Sequence, residues 1–399
     1  MFGGGRTVLA ILLAPLLLGS PLARASPSVP ASDSVVLEHV PGFRDASSRA
    51  LRGLNAQLAQ HRHDAALAEK VARLDIGEAR TLGDPRFLGR AEAALAPWPI
   101  RPHTPPDVLL LRAVILQSNH DFNGSIAVLK RVLAAQPSSA QAWLTLAAVH
   151  QAQANYPAAL RDCGQFATNT LGLLPDTCTA SVMSLTGHAP LALRAVAISL
   201  NQNAAEAKAQ PTVAVWALTL AAETAERLGD PSAEQYFRAA LAIEPTDPYL
   251  LGAWSDWLLD HNHPRAVIAL LSADTRIDPL LLRLALAEQQ THNALAARHI
   301  GDLAARFEAS RLRGDTVHRR EQAMFTLHLL HQPRRALVLA RANWTVQREP
   351  IDARILLETA LAAGQPEAAD PVRAWLDHNH VQDVRLRALA RPRDLGDKS

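Results

Sequence analysis

The chain has 399 residues and is 48% hydrophobic but only 5% aromatic, a balance that suits close-packed helices better than sheets. A net charge of +2 argues against a general nucleic-acid or anionic-membrane binder, which needs a dense basic face. Two cysteines are too few for a disulfide-built scaffold.

The first 25 residues have the layout of a secretory signal peptide. Arg6 supplies the positive start, Val8 to Leu18 an apolar run broken by Pro15, and Ala23-Arg24-Ala25 a small-x-small cleavage site. The expectation is a cut after Ala25, a periplasmic or secreted product, and no stable membrane insertion after cleavage. Cleavage removes two arginines and no acid, which brings the net charge to zero. No cysteine follows the apolar run to carry a lipid anchor. Residues 26–42 are small, polar and proline-bearing, and read as a disordered tail. Residues 43–100 form an N-terminal helical region, with Leu51, Leu54, Leu58, Ala65, Leu67 and Val71 on apolar faces. Asp84-Pro85 opens a helix running to about Ala96, and five prolines between 97 and 106 impose a stiff connection.

From residue 106 the sequence repeats itself. Residues 106–137 overlay 140–171 at a shift of 34, with Leu109 on Trp143, Ala113 on Ala147, Phe122 on Tyr156, Leu129 on Cys163 and Val132 on Phe166. A third window, 214–245, puts Leu220, Ala221, Ala233, Phe237, Ala240 and Pro245 in the same slots. The order is large apolar, small, aromatic, small, large. It describes two amphipathic helices joined by a short turn, with small residues where the backbones approach. Pro137 and Pro245 end the second helix. This pattern resembles the tetratricopeptide repeat, most closely at Phe237-x-x-Ala240-x-x-x-x-Pro245. The resemblance implies an all-α fold, a right-handed α-solenoid of helical hairpins. It covers a 106–279 array, in which 173–204 and 247–279 (ending on Pro279) are weaker copies. Residues 280–391 hold degenerate repeats, including 319–350 and 351–380, before a disordered tail at 392–399.

The resemblance also places a ligand groove. In such repeats the first helix lines a concave surface, which here brings inward Leu110, Val114 and Gln117, then Gln141, Leu144 and Gln151, then Leu218, Ala222 and Glu226. This groove would be neutral, apolar and glutamine-bearing. The Lys, Arg and Asn of repeats that clamp a C-terminal carboxylate are missing from these slots. A partner peptide, or the chain's own N-terminal helices, would occupy it.

The motifs of common enzyme classes are absent: no phosphate-cradling loop, no dinucleotide glycine fingerprint after a strand, no nucleophile elbow and no His-Glu-x-x-His. Sixteen histidines stand out, and two pairs lie in near-identical strings, Trp257-Leu-Leu-Asp-His261-Asn-His263 and Trp375-Leu-Asp-His378-Asn-His380. These could chelate a transition metal or could simply cap the same inter-helix turn in two repeats. Cys163 and Cys178 fall on adjoining helices in the repeat register, as a disulfide or as two buried thiols, and secretion favours the disulfide. Arginines crowd the late sequence (Arg311, Arg313, Arg319, Arg320, Arg334, Arg335, Arg385, Arg387), as a basic patch or a solvated convex face. The expected function is a non-enzymatic, cofactor-free periplasmic scaffold or adaptor for protein or peptide partners of the cell envelope. The alternative is a histidine-based metal-binding accessory protein.

Overall fold

The computed structural model describes residues 46–391 together with Ser32. The expected signal peptide, the 26–42 segment and the 392–399 tail lie outside the described residues. The chain divides into units of residues 1–49 and 50–399, and the larger one carries the fold. Every regular element among the described residues is helical.

Three helices come first: α1 (Ala46–Gln60), α2 (Ala65–Leu82) and α3 (Arg86–Ala94). Hairpins follow, α4 (Pro106–Ser118) with α5 (Phe122–Ala135), α6 (Ala140–Ala152) with α7 (Tyr156–Ala167), and α8 (Leu173–Met183) with α9 (Ala189–Gln202). A short α10 (Ala204–Ala209) precedes the longest pair member, α11 (Pro211–Leu228), which packs on α12 (Ala233–Ile243). Next are α13 (Pro248–Asp260) with α14 (Pro264–Leu271) and α15 (Asp278–Gln290) with α16 (Ala296–Leu312). In the pair α17 (Arg319–Met324) and α18 (Pro333–Trp344), the first helix runs on as a π turn at Phe325–Leu329. The series closes with α19 (Pro350–Ala362), α20 (Asp370–His378) and α21 (Val384–Ala390). The consecutive pairing is that of a tetratricopeptide-like α-solenoid.

Each hairpin turns the same way. A residue in the left-handed region ends the first helix at 120, 154, 187, 229, 262, 292, 331 and 364. Glycine takes this conformation freely and fills three of the eight positions. His120, His292 and His331 occupy three more, and Asn262 and Ala154 the others. Several of the conspicuous histidines are therefore turn residues, a role in which histidine is enriched among non-glycine types. Prolines stand in the first turn of α7, α9, α14 and α18, where a missing N–H costs nothing. Pro279 and Pro350 belong to this class: they start α15 and α19 and do not terminate the hairpins before them. Pro137 and Pro245 stand two residues beyond the ends of α5 and α12.

Residues that share a repeat slot share an environment. Phe122, Tyr156 and Phe237 are buried, as are Ala113, Ala147 and Ala221. Each buried aromatic contributes about 1.5–3 kcal/mol over its exposed state, so the slots carry much of the stability. Between α7 and α8, Cys163 and Cys178 form a disulfide with their Cα atoms 5.7 Å apart.

The last helices fold back on the first repeats. The Trp375 indole donates to the Tyr156 hydroxyl at 3.1 Å, and the Arg348 backbone N–H donates to the Ala152 carbonyl at 2.7 Å. The Gln382 side chain accepts from the Ala189 N–H at 2.9 Å. Beside it, Gly187 has φ +78°, and a Cβ there would come within 3.0 Å of the His380 Cβ. Gly83 plays the same part at the C-cap of α2, where a Cβ would meet Ile277 at 2.8 Å.

Candidate functional site

The first helices of the hairpins (α4, α6, α8, α11, α13, α15, α17 and α19) share the lining of the interior. The late hairpins lie across from the early ones, and the inner side carries neighbouring, partly open cavities. One, of about 480 Å³, lies among Gln117, Leu144, Gln151, Trp216, Tyr249 and Arg320. A second, of about 460 Å³, is walled by Leu185, Leu220, Glu223, Tyr249, Ile277 and Val384. The two share Gln151, Ser181, Tyr249, His318, Arg320, Glu321 and Glu349. A smaller one of about 220 Å³ adjoins His328, Arg354 and Glu358.

Gln117, Leu144 and Gln151 line the first cavity and Glu226 the second. Leu110, Val114 and Ala222 are buried between helices and offer no surface to a partner. Gln141 is exposed away from the cavities, its amide on the Thr145 hydroxyl at 3.1 Å, and Leu218 packs half-buried against the core. The physical reason is rotational. α11 begins three residues before the repeat window and is five residues longer than α6. A one-residue shift turns a helix by about 100°. The residues facing inward there are Glu223, Glu226 and Arg227, one residue on from the Ala222, Ala225 and Glu226 of the repeat register.

The interior is therefore charged, not neutral. Arg320 spans two carboxylates, giving Nε to Asp352 at 2.6 Å and Nη2 to Glu349 at 2.5 Å. Asp352 is fully buried and also accepts from Asn343, Gln347 and the Glu349 backbone. Burial opposes the Arg320 charge, but Asp352 and Glu349 more than offset it and hold the guanidinium protonated. Arg354 grips Asp260 with both Nη atoms at 2.7 and 2.8 Å, and its Nε meets Glu358 at 2.7 Å. Arg385 also donates to Asp260. Arg283 reaches Asp256 at 2.5 Å and the Gly252 and Pro279 carbonyls. Burial would lift the Glu358 carboxyl, yet the His328 hydrogen bond at 3.1 Å and the Arg354 charge bring it down to about 2.

Two carboxylates on α11 are less well served. Glu223 accepts from the Tyr249 hydroxyl at 2.7 Å, and Glu226 has Arg385 at 3.6 Å. Burial raises both. For Glu226, with Asp260, Glu223 and Asp256 adding to it against Arg385, the value reaches about 7. Tyr249 is 66% exposed to the space of the cavity. The Glu223 charge beside it pushes its phenol above the ordinary range.

The late arginines divide: Arg311, Arg313, Arg334 and Arg335 are exposed to solvent, and others turn to partners within the fold. Arg320 and Arg385 face inward, Arg387 pairs with Asp377 at 2.5 Å, and Arg311 pairs with Glu308 at 2.6 Å. The paired histidines do not assemble a metal centre. His261 stacks on Trp257 at 3.9 Å and its Nδ1 meets the Trp257 carbonyl, while His380 sits in the left-handed region beside Gly187. Among the described residues no three His, Cys, Asp or Glu side chains, at His261, His263, His378 and His380 or elsewhere, converge as metal ligands. Sequence reasoning missed Tyr249, Asp256 and Glu349, and placed Arg320 on an outer surface. Counting the same inward slots from the first residue of α13 and α17 brings Tyr249, Asp256 and Arg320 to that face.

In sequence the chain matches no protein-family model and no curated protein. Among solved structures it is similar to a Rap protein complexed with competence and sporulation factor, at 14% identity over 86% of this chain and 97% of that one, with a TM-score of 0.45. A tetratricopeptide repeat protein from Parabacteroides merdae is similar at 14% identity, over 64% and 98% of the two chains, with a TM-score of 0.37. A chain of the APC/C hetero-tetramer Cut9-Hcn1 is similar at 15% identity over 79% of this chain and 60% of that one, with a TM-score of 0.41.

Proposed function

We propose that this protein is a non-enzymatic scaffold that holds an extended segment of a protein partner inside its helical array, in the periplasm or outside the cell. The observation that carries this reading is the lining of the cavities: first helices of eight successive hairpins present side chains to neighbouring, partly open cavities on one side of the array. Cavities of this size, within the roughly 300–1,000 Å³ common for ligand sites, bury a drug-sized molecule or a short peptide stretch. The buried Cys163–Cys178 disulfide suits an oxidising compartment, and no helix among the described residues is long and apolar enough to cross a membrane.

The test is site-specific photo-crosslinking in cells. A photoreactive residue at Gln151, on the cavity wall, is expected to capture a partner, whereas one at Leu160, on the outer face of α7, captures none. Leu144→Glu should abolish the product at Gln151. Crosslinks only from Leu160, or a product at Gln151 indifferent to Leu144→Glu, would sink the proposal. Recovery of the mature chain in the cytoplasmic fraction would remove the assigned compartment.

A further inference from the structure

The second cavity has an uneven charge balance. Five arginines face it or its walls: Arg227, Arg283, Arg320, Arg354 and Arg385. Six carboxylates line the same space, and Asp260, Asp352 and Glu358 hold three of those arginines from behind. Four of the five cations are thus spent on acids at 2.7 Å or less, and Arg227 is held by the Ser184 and Thr224 hydroxyls at 2.9 and 3.1 Å. Glu223 and Glu226, one turn apart on α11, have no cation within 3.5 Å. Glu223 accepts from the neutral Tyr249 hydroxyl and feels the Arg227 charge, one turn along the helix, without an ion pair, and Glu226 has Arg385 at 3.6 Å. Burying carboxylates without compensation is costly, and the elevated Glu226 carboxyl is the local symptom.

The walls say which cation would fit. Tyr249 and Val384, 66% and 58% exposed, project apolar surface beside the two carboxylates, with Leu185, Leu220 and Ile277 completing the cavity. A bare metal ion wants converging oxygen or nitrogen ligands, whereas an ammonium or guanidinium on an aliphatic stem wants carboxylates, an aromatic ring and apolar surface.

We propose that this cavity receives a lysine or arginine side chain of the partner segment, its charged end at Glu223 and Glu226 and its stem against Tyr249. The assignment rests on the reading of the interior as a partner-binding space, and it makes that space selective for basic segments. An acidic peptide would meet repulsion from the same carboxylates.

Calorimetric titration with acetylated, amidated pentapeptides Leu-Ala-X-Ala-Leu tests it, where X is lysine, norleucine or glutamate. The lysine peptide is expected to bind at least tenfold more tightly than the norleucine peptide, and the glutamate peptide most weakly. In the Glu223→Gln, Glu226→Gln double variant, whose fold is checked by circular dichroism, lysine and norleucine peptides should bind alike. Equal affinity for lysine and norleucine in the unmodified protein, or a lysine preference that survives in the double variant, overturns the cation site and leaves the partner-binding interior standing. If Leu144→Glu and the double variant both leave the binding of every peptide unchanged, the interior is not the binding space, and both readings fall.

Discussion

Trp375 and Tyr156 lie 219 residues apart in the chain, yet the indole N–H donates to the phenol oxygen at 3.1 Å inside the core. This bond ties α20 to α7, and burial leaves the Tyr156 hydroxyl far above its ordinary titration range. Trp344 meets Trp375 edge-on at 5.7 Å and extends the contact. Trp375→Ala should cost about 3–5 kcal/mol through lost transfer energy and the cavity left behind. Tyr156→Phe should cost about 1 kcal/mol, the worth of one buried hydrogen bond. Urea denaturation of the two single variants and the double variant would read the pair. Strict additivity would show that the bond contributes nothing.

Removing the disulfide with Cys163→Ala, Cys178→Ala should cost about 3 kcal/mol for a loop of 15 residues in the chain-entropy model, with the fold retained. Both sulfurs are buried, so a mild reductant should leave the native bond intact, and alkylation should label the cysteines only after unfolding. Labelling of the native protein at the rate of a free thiol would contradict this.

Asp75 is fully enclosed in α2, with Arg90 at 3.3 Å and no hydrogen bond to either carboxylate oxygen. Burial lifts its carboxyl to about 6 from 3.8, against the pull of Arg90. Between those values the native state holds a proton that the unfolded chain releases, so stability falls as pH rises through the window and stays lower above it. The charge costs about 3 kcal/mol at neutral pH. An amide keeps part of the desolvation cost, so Asp75→Asn should gain about 1–2 kcal/mol at pH 7. The gain should vanish at pH 4. Denaturation midpoints at the two pH values decide it, and an equal shift at both would rule out the charge as the cause.

Glu358 runs the opposite way. Its carboxyl, at about 2 against 4.5 unfolded, contributes stability that is fully present above pH 4.5 and lost as pH falls through 2. Glu358→Gln should cost at most about 3 kcal/mol at pH 7 and flatten the acid limb of the stability profile. An acid limb identical to that of the unmodified protein would refute the assignment.

Ala154 holds φ +59° in the α6–α7 turn, where its Cβ is unwelcome. The strain is about 1–2 kcal/mol, and glycine's extra unfolded-state entropy returns about 0.5–1 kcal/mol of it. Ala154→Gly should therefore stabilise the protein by about 0.5–1 kcal/mol in thermal unfolding. A loss would mean that the turn carries no such strain.

The hairpins were legible because their signals are local. Ala113, Ala147 and Ala221 recur at fixed distance from Phe122, Tyr156 and Phe237, and short-range periodicity suffices to pair the helices. Reading which side faces inward is more demanding, since a single residue of offset at α11 exchanged Ala222 and Ala225 for Glu223 and Glu226. The closure escaped sequence reasoning altogether. It depends on how many small rotations accumulate between Ala152 and Arg348, a sum that no local pattern encodes. The paired histidines were left open between ligands and turn caps, and the two strings turn differently: the left-handed residue is Asn262 in the first and His380 in the second.

A repeat array with loose ends comes apart progressively, because each terminal hairpin has a neighbour on one side only. Here α19 to α21 are fastened to α6, α7 and the α8–α9 turn, so the terminal hairpins gain a second neighbour. Opening any one of them requires breaking contacts at two places along the chain. The consequence is thermodynamic: residues 140–390 should melt in one sharp transition and protect their amides together, where an open array would fray from its tips.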